Sequence, residues 1–291
     1  MAIYNLGSIN IDMVYQVPHL PAPGETLAAT SYSQGLGGKG ANMSVACARA
    51  GARTRHIGAV GNDGRWAVGR LLEYGVDTTH IVETDEVTGH AIINVDAAAE
   101  NSIVLWAGAN NEIRLDQIGR ALAEANTGDT LLMQNETTGQ LVAAEMAKDL
   151  GLQVVYAAAP FDAQAVTALL PYIDLLLLNE VEAAQLEAAI GRPINTLEVN
   201  NVIVTLGADG CRWYVNSTGL ETDFSAIKVD PIDTTGAGDT FTGYVVAGLD
   251  RGMPMEQAIR LATQAGALMV TRLGTADVIP DLKEIQDAKL G

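Results

Sequence analysis

The 291-residue sequence predicts an α/β fold with a mostly parallel sheet flanked by helices. From about residue 130 onward, short apolar runs alternate with longer amphipathic segments, which is typical of such a sheet. The predicted strands are 131–134, 154–157, 175–178 and 202–206, and the predicted helices between them are 139–150, 163–170 and 181–189. Parallel sheets of this kind bind their ligands at the carboxyl ends of the strands. The side chains that follow these strands are therefore the first candidates for a site.

Two segments of the first third, 13–34 and 87–106, have a different pattern. Both contain short alternating apolar stretches separated by turn-prone residues, so they predict a small strand-built appendage. The sequence shows no repeat, low-complexity tract or linker that would divide it. We therefore expect residues 1–291 to form a single domain that includes this discontinuous appendage.

The charge restricts the partners that we expect. The formal net charge of −18 and the sequence pI near 4.4 disfavour nucleic acid and anionic membranes, because both require a basic face. The sequence contains neither a basic leader nor an apolar run of about 18 residues, which predicts a cytoplasmic protein. A nucleotide would need local hydrogen-bond donors and a divalent cation to bind against this charge.

The motif that indicates chemistry most directly is a glycine turn before a predicted helix. Gly236, Ala237 and Gly238 precede Asp239, and apolar residues follow at helical spacing. The free N–H groups and the dipole of a helix N-terminus stabilise an anion there. An aspartate in the first turn often only complements the dipole, but the flanking glycines favour a phosphate site. In such a site Asp239 can accept the proton of an attacking hydroxyl.

A second glycine-rich turn, residues 35–42, contains Lys39 and leads into a predicted helix at 42–50. It fits Gly-x-Gly-x-x-Gly, with Asp63 near the spacing of a ribose-binding acid, so a dinucleotide-dependent oxidoreductase is one alternative. The stretch 32–34 before it is a poor candidate for a buried strand, which weakens that alternative. Because Lys39 is followed by glycine, the turn is not a phosphate-binding loop of the Walker type.

A third motif follows the apolar run 175–178 directly. Asn179 and Glu182 are three residues apart on one helical face. Such residues either cap the helix and complement its dipole or organise Mg²⁺ and its waters beside phosphates. The sequence leaves both interpretations open.

Several further segments, taken in order with these motifs, carry a family resemblance that covers nearly the whole chain. The matching segments are 6–12, 23–26, 37–42, 107–110, 131–136, 179–182, 204–207, 236–241 and 270–274. Together they resemble the ribokinase family of sugar kinases. The resemblance implies a three-layer α/β/α domain with a mostly parallel central sheet and a small β-sheet lid, formed here by 13–34 and 87–106. It also implies a homodimer formed through the lid.

The resemblance implies that the γ-phosphoryl group of ATP is transferred to a sugar hydroxyl with Mg²⁺, D-ribose at O5 being the expected acceptor. A fructose-type or nucleoside kinase, and a catalytically silent sugar or nucleotide sensor, are the alternatives. By matching position, the residues expected to bind the sugar are Asn10, Asp12, Gly38, Lys39, Asn42 and Glu136. Asp239 would be the base, and Gly236, Ala237 and Gly238 the anion hole.

The remaining implied roles concern the nucleotide and the cations. The expected nucleotide-binding residues are Asn179, Thr205, Leu206, Gly207, Ala208, Asp209, Gly210, Gly238 and Thr263. Asn179 and Glu182 would hold Mg²⁺ through water. A potassium ion beside the anion hole would be held by Asp233, Thr235, Met269, Arg272 and Gly274.

The sequence departs from the family pattern at several of these places. Val278 stands where the family has a small hydroxyl residue, which predicts a potassium site weakened by one ligand. Thr263 replaces a histidine near the adenine, so it bears on nucleotide preference. The substitutions expected to reshape the sugar pocket are Trp106, the run 97–99 and Asn135.

Overall fold

A computed structural model describes residues 1–98, 100–288 and 290 of the chain. Ala99, which belongs to the run 97–99 and to the predicted lid segment, lies outside the described residues, as do Lys289 and Gly291.

Over the described ranges the chain forms thirteen strands and nine α-helices. The strands are β1 (Ala2–Leu6), β2 (Asn10–Gln16), β3 (Ser31–Gly37), β4 (Arg53–Gly61), β5 (Asp77–Thr84), β6 (Gly89–Val95), β7 (Asn101–Trp106), β8 (Thr130–Met133), β9 (Gln153–Ala157), β10 (Leu175–Asn179), β11 (Asn201–Thr205), β12 (Cys211–Val215) and β13 (Leu220–Phe224). The helices are α1 (Lys39–Arg49), α2 (Arg65–Glu73), α3 (Leu115–Leu122), α4 (Gln140–Asp149), α5 (Ala163–Leu169), α6 (Glu180–Ile190), α7 (Ala237–Asp250), α8 (Met255–Met269) and α9 (Leu282–Ala288).

The large sheet has nine strands in the order β13-β12-β11-β10-β9-β8-β1-β4-β5. All pairs from β11 to β5 are parallel, and only β12 and β13 are added antiparallel at one edge. The four strands and three helices predicted after residue 130 are confirmed, with every bound within one residue. The apolar runs identified them because strands buried on both faces carry little polar sequence.

Helices cover both faces of this sheet and create two separate cores. Neighbouring strand residues point to opposite faces, so Ile3 packs in one core while Tyr4 packs in the other. The first core lies under α1, α2, α7, α8 and α9, and the second lies under α3 to α6. The predicted three-layer α/β/α architecture is therefore confirmed. Within the described residues, none of the helices combines the length and apolar character needed to cross a membrane.

The small sheet has four strands in the order β3-β2-β6-β7. Its strands extend beyond the predicted segment 13–34, because β2 begins at Asn10 and β3 continues to Gly37. Polar and glycine residues interrupt the apolar alternation at these strand ends, so the alternation alone did not predict the full length of the strands. The stretch 32–34 is a strand, but it is exposed and antiparallel, so it does not provide the buried strand of a dinucleotide fold.

The register of the small sheet corrects the expectation for Trp106. Asp12 pairs with Ala91, and Ala91 pairs with Leu105, so these three side chains share one face. Trp106 pairs with His90 one position further along, which places it on the opposite face. Trp106 therefore does not line the side of the sheet that carries Asp12. Leu105, which the sequence did not single out, does.

Candidate active site

A cavity of about 170 Å³ lies where β9, β10 and β11 end, against the N-terminus of α7. Of the residues that directly follow the predicted strands, Asn179 lines this cavity, whereas Glu136 and the turn 207–210 do not. The predicted site residues that line it are Lys39, Asn179, Glu182, Thr205, Gly236, Gly238 and Asp239. The lining residues that the sequence did not predict are Met43, Ala157, Ala158, Ala159, Leu177, Leu178 and Thr242. They are small or apolar, and no chemical pattern distinguishes them from core residues.

The glycine turn forms the start of α7. Gly236 is the N-cap in a left-handed conformation with φ 76°, which a side chain would strain. The N–H of Ala237 donates to the Thr234 carbonyl at 3.2 Å, whereas those of Gly238 and Asp239 meet no acceptor within the described part of the chain. These two free donors lie beside the cavity, so the turn can receive an anion there.

Asp239 lies in the first turn of α7 with 7% of its surface exposed. Asn42 Nδ2 donates to Asp239 Oδ2 at 2.9 Å, while Oδ1 makes no hydrogen bond to any described residue. Burial raises the pKa of Asp239, and the charge of Lys39 and the Asn42 hydrogen bond partly oppose that shift. The carboxylate of Asp239 in turn raises the pKa of Lys39. The site therefore places a carboxylate oxygen without a hydrogen-bond partner near the Lys39 ammonium group, which stays protonated.

Glu136 joins the second glycine-rich turn to the loop after β8. Its Oε2 accepts the hydroxyl hydrogen bond of Ser8 and the backbone N–H of Lys39, the latter at 3.1 Å. Burial raises the pKa of Glu136, although both hydrogen bonds and the Lys39 charge act in the opposite direction. Ser8, which follows β1, was not predicted as a site residue. Its position after a parallel strand was the signal that could have identified it.

Asn10 and Asp12 lie on one face of β2, because they are two residues apart in a strand. The carboxyl group of Asp12 lies against Gly37, where a Cβ atom would come within 2.1 Å of Asp12 Oδ2. Burial raises the pKa of Asp12 to about 7, with further increases from the charges of Glu136 and Asp239. Asn42 Oδ1 is buried without a partner among the described residues. This group of amides and carboxyls suits a ligand rich in hydroxyls.

A buried hydrogen-bond chain fixes the start of α1 beneath the site. Asn5 Nδ2 donates to the Gly40 carbonyl and to Ser44 Oγ, both at 2.8 Å, and Asn5 Oδ1 accepts from Gln134 at 2.8 Å. His56 lies 2.8 Å from Ser44 Oγ through Nδ1 and 3.0 Å from the Gly7 carbonyl through Nε2. Burial lowers the pKa of His56 to about 4, so the imidazole is neutral at physiological pH.

The predicted nucleotide residues are only partly brought together. Asn179 and Thr205 line the cavity, whereas residues 206–210 form a turn closed by the Leu206 N–H to the Gly210 carbonyl at 2.8 Å and do not line it. Thr263 donates its hydroxyl to Ile259 within α8 and is also outside the lining. The roles of residues 206–210 and of Thr263 therefore stay predictions.

Asn179 and Glu182 form a reciprocal cap at the start of α6. The Glu182 N–H donates to Asn179 Oδ1 and the Asn179 N–H donates to Glu182 Oε2, each at 2.8 Å. Of the two interpretations, the structure therefore shows the capping one. Glu182 still lines the cavity with Asp239, and one carboxylate oxygen remains outside the cap.

The carboxylates that line this cavity suit a Mg²⁺ ion bound chiefly through water and phosphate. In the described ranges no group of three or more His, Cys, Asp or Glu side chains could hold a metal directly. Magnesium commonly takes only one or two carboxylates together with substrate phosphates, so Glu182, with one oxygen outside the cap, would be sufficient through water. Asn179 Oδ1 already accepts the Glu182 N–H.

The predicted potassium ligands fit a cation less well. Asp233 accepts the N–H of Thr235 at 2.9 Å and that of Gly274 at 3.2 Å, one on each carboxylate oxygen. The Met269 carbonyl accepts the Arg272 N–H at 2.9 Å. Val278 packs beside Gly274, since a Cβ atom there would lie 3.5 Å from Val278 Cγ1. These oxygen atoms are brought together, but the apolar side chain of Val278 offers no oxygen ligand beside them.

The effect of Asn135 on the sugar pocket stays a prediction. Its Nδ2 donates to the Pro160 carbonyl at 2.9 Å, so the side chain ties two loops together.

Comparison with known proteins identifies the family. Residues 3–282 match the pfkB family of carbohydrate kinases. The chain is 39% identical to a ribokinase of Haemophilus influenzae, over 96% of this chain and 95% of the relative. It is 29% identical to a deoxyribokinase of Salmonella typhi, over 99% of this chain and 98% of that protein.

Solved structures agree with this relationship. The ribokinase of Cryptococcus neoformans in complex with ADP superposes with a TM-score of 0.84 at 33% identity, covering 99% of each chain. The Arabidopsis thaliana ribokinase complexed with ribose and ATP gives 0.86 at 28% identity, covering 99% of this chain and 98% of that one. The chain therefore belongs to the pfkB family of carbohydrate kinases, within which it is a kinase of the ribokinase type.

Proposed function

We propose that this kinase transfers the γ-phosphoryl group of ATP to O5 of D-ribose and releases D-ribose 5-phosphate and ADP. The observation that carries the proposal is the buried carboxylate of Asp239, with Oδ1 available, beside the free N–H groups at the start of α7. A ribokinase at 39% identity and a similar structure complexed with ribose and ATP support the choice of substrates.

The proposed step forms a bond from the sugar oxygen to the γ-phosphorus and breaks the bond from that phosphorus to the oxygen leaving with ADP. The hydroxyl proton moves to Asp239 Oδ1. The N–H groups of Gly238 and Asp239 would stabilise the charge on the transferring group, together with Lys39. Magnesium, when bound to the nucleotide phosphates near Glu182, supplies further charge neutralisation.

Asn10 and Asp12 are the proposed sugar ligands on the small sheet, while Lys39, Asn42 and Glu136 approach from the body of the protein. In this arrangement the small sheet acts as a lid that covers the sugar and excludes water from the transfer. A site that satisfies hydroxyls with buried polar groups rejects analogues lacking them, because those groups would remain unpaired.

We also propose that the lid forms a homodimer contact. Four consecutive apolar side chains of β7 are each more than half exposed: Ile103 at 51%, Val104 at 61%, Leu105 at 57% and Trp106 at 55%. An exposed apolar edge strand favours association with another surface.

A panel of candidate phosphate acceptors tests the proposed reaction. Release of ADP with ATP and Mg²⁺ should be rapid on ribose and slower on deoxyribose, fructose, tagatose, fructose 6-phosphate, adenosine and inosine. Adding potassium should change the rate on ribose only slightly, because Val278 stands where a hydroxyl ligand is expected. Preferred turnover on another acceptor would replace the substrate, and no turnover on any of them would favour a silent sensor.

Replacing Asp239 tests the base. Asp239→Asn should lower kcat on ribose by about 10²–10⁴-fold, because the amide cannot accept the hydroxyl proton. ATP affinity, measured by calorimetry, should stay within a few-fold of the wild type. Asp116→Asn, an exposed change on α3, is the matched control. Near-normal turnover of the Asp239 variant would remove this residue from the base role.

The ionisation of Asp12 should lower the free energy of unfolding as the pH rises. Its pKa is about 7 in the folded state against an ordinary 3.8, so the folded protein binds the proton more tightly and loses stability as Asp12 ionises. Asp12→Asn should therefore raise the melting temperature by a few degrees more at about pH 8 than at about pH 5, relative to the wild type. The same variant should weaken ribose use at least about tenfold. A melting difference that shrinks with rising pH would contradict the shift.

The homodimer prediction is checked by sedimentation. Val104→Glu should shift the protein from dimer to monomer, since it places a charge within the proposed contact. Leu72→Glu, at an equally exposed position on α2, should leave the dimer intact. A monomeric wild type would rule out the contact.

A further inference from the structure

The segment 107–110 matched the family pattern without receiving a role, and its last residue lies at the junction of the two sheets. Asn110 is 1% exposed, within the turn that follows β7. The chain passes between the large sheet and the small sheet nearby, at Ile9 before β2 and at Gly89 where β6 begins. Asn110 is therefore buried among the connections that carry the small sheet.

The amide of Asn110 is fully used at this junction. Its Oδ1 accepts the Ile9 N–H at 2.9 Å, and its Nδ2 donates to the Ile9 carbonyl at 3.3 Å. The side chain thus pairs with the backbone of Ile9 as a neighbouring strand would. Nδ2 also donates to Asn10 Oδ1 at 2.8 Å. One side chain holds both the entry into β2 and the first proposed sugar ligand on it.

The bond to Asn10 decides which end of the Asn10 amide is left for a ligand. Because Asn10 Oδ1 is engaged by Asn110, the Nδ2 donors of Asn10 remain, and they have no partner among the described residues. Asn10 shares its face with Asp12, whose carboxyl group offers acceptors when ionised. A donor next to an acceptor on one face can bind two neighbouring hydroxyls of a sugar, because each hydroxyl both donates and accepts.

Gly89 shows how closely the amides are packed. It pairs with Asn10 in the register of β2 and β6. A Cβ atom at Gly89 would lie 2.1 Å from Asn110 Nδ2 and 2.5 Å from Asn10 Oδ1. Only glycine at position 89 leaves room for the two amides, so the contact between Asn110 and Asn10 depends on the absence of a side chain there.

We propose that Asn110 is a positioning residue for sugar recognition, which acts by fixing Asn10 as a hydrogen-bond donor toward the acceptor substrate. The inference rests on the proposed sugar kinase function and deepens it. Asn110 does not touch the substrate; it sets the orientation of Asn10 and anchors the small sheet at Ile9.

Asn110→Asp is the sharpest variant, because it keeps the shape and the acceptor for the Ile9 N–H. It replaces Nδ2 with an oxygen that faces two acceptors, the Ile9 carbonyl and Asn10 Oδ1, so Asn10 should turn its own amide over. The KM for ribose should rise about tenfold or more, while the KM for ATP should change little. Asn111→Asp adds the same charge at the exposed next position and is the control.

A double-mutant cycle separates positioning from a general structural role. If Asn110 acts through Asn10, the variant with both Asn10→Ala and Asn110→Asp should have the ribose KM of Asn10→Ala alone. Independent, multiplying effects on KM would overturn the inference, as would an unchanged ribose KM in Asn110→Asp. Should that variant fail to fold in a thermal scan, Asn110→Ala enters the same cycle.

A failure of the proposed function gives a different result from a failure of the inference about Asn110. A wild type that phosphorylates no sugar on the panel would remove the proposed function, and with it the inference. A wild type active on ribose or another sugar provides the acceptor with which the cycle is run.

Discussion

The site depends on a close crossing of two backbone segments at the end of β1. A Cβ atom at Gly7 would lie 2.5 Å from Gly40 Cα, and one at Gly40 would lie 2.3 Å from the Ser8 nitrogen. Glycine at both positions allows the start of α1 to rest directly on the carboxyl end of β1. Ser8 then accepts the Ala41 N–H at its carbonyl and bonds Glu136 through its hydroxyl, and Asn5 bonds the Gly40 carbonyl from below. The groups proposed to hold the sugar are placed by this contact.

The site combines the negative charge of the whole chain with a few local positive groups. A protein of net charge −18 is a poor receptor for a triphosphate, and the site adds carboxyls of its own, half-buried at Asp12 and Glu136 and buried at Asp239. Lys39 and the helix N-terminal N–H groups provide local positive charge, while burial raises the pKa values of all three carboxyls. Under the proposed function, the hydroxyl donors of a sugar and the Mg²⁺ that accompanies a nucleotide would relieve this repulsion.

The fold and the acceptor are separate questions for this family. A nucleoside kinase from Burkholderia thailandensis has the same fold, with a TM-score of 0.85 at 20% identity, and this similarity indicates architecture alone. The side chains proposed to bind the acceptor lie on the small sheet, in α1 and in the loop after β8. The face that carries Asn10 and Asp12 also carries Leu105, so its polar and apolar parts are set by strand register.

The sequence by itself determined the alternating strands and helices after residue 130, because strands buried on both faces read as apolar runs and helices as amphipathic ones. It also determined the glycine turn before Asp239, since local backbone freedom and helix start signals are encoded within a few residues. Only the tertiary structure decided that Trp106 faces away from Asp12 and that Asn110 bonds Asn10. The first depends on strand register and the second on a contact between residues distant in sequence. Asn110 and Asn10 are 100 residues apart, and no local pattern specifies which partner a buried amide will meet.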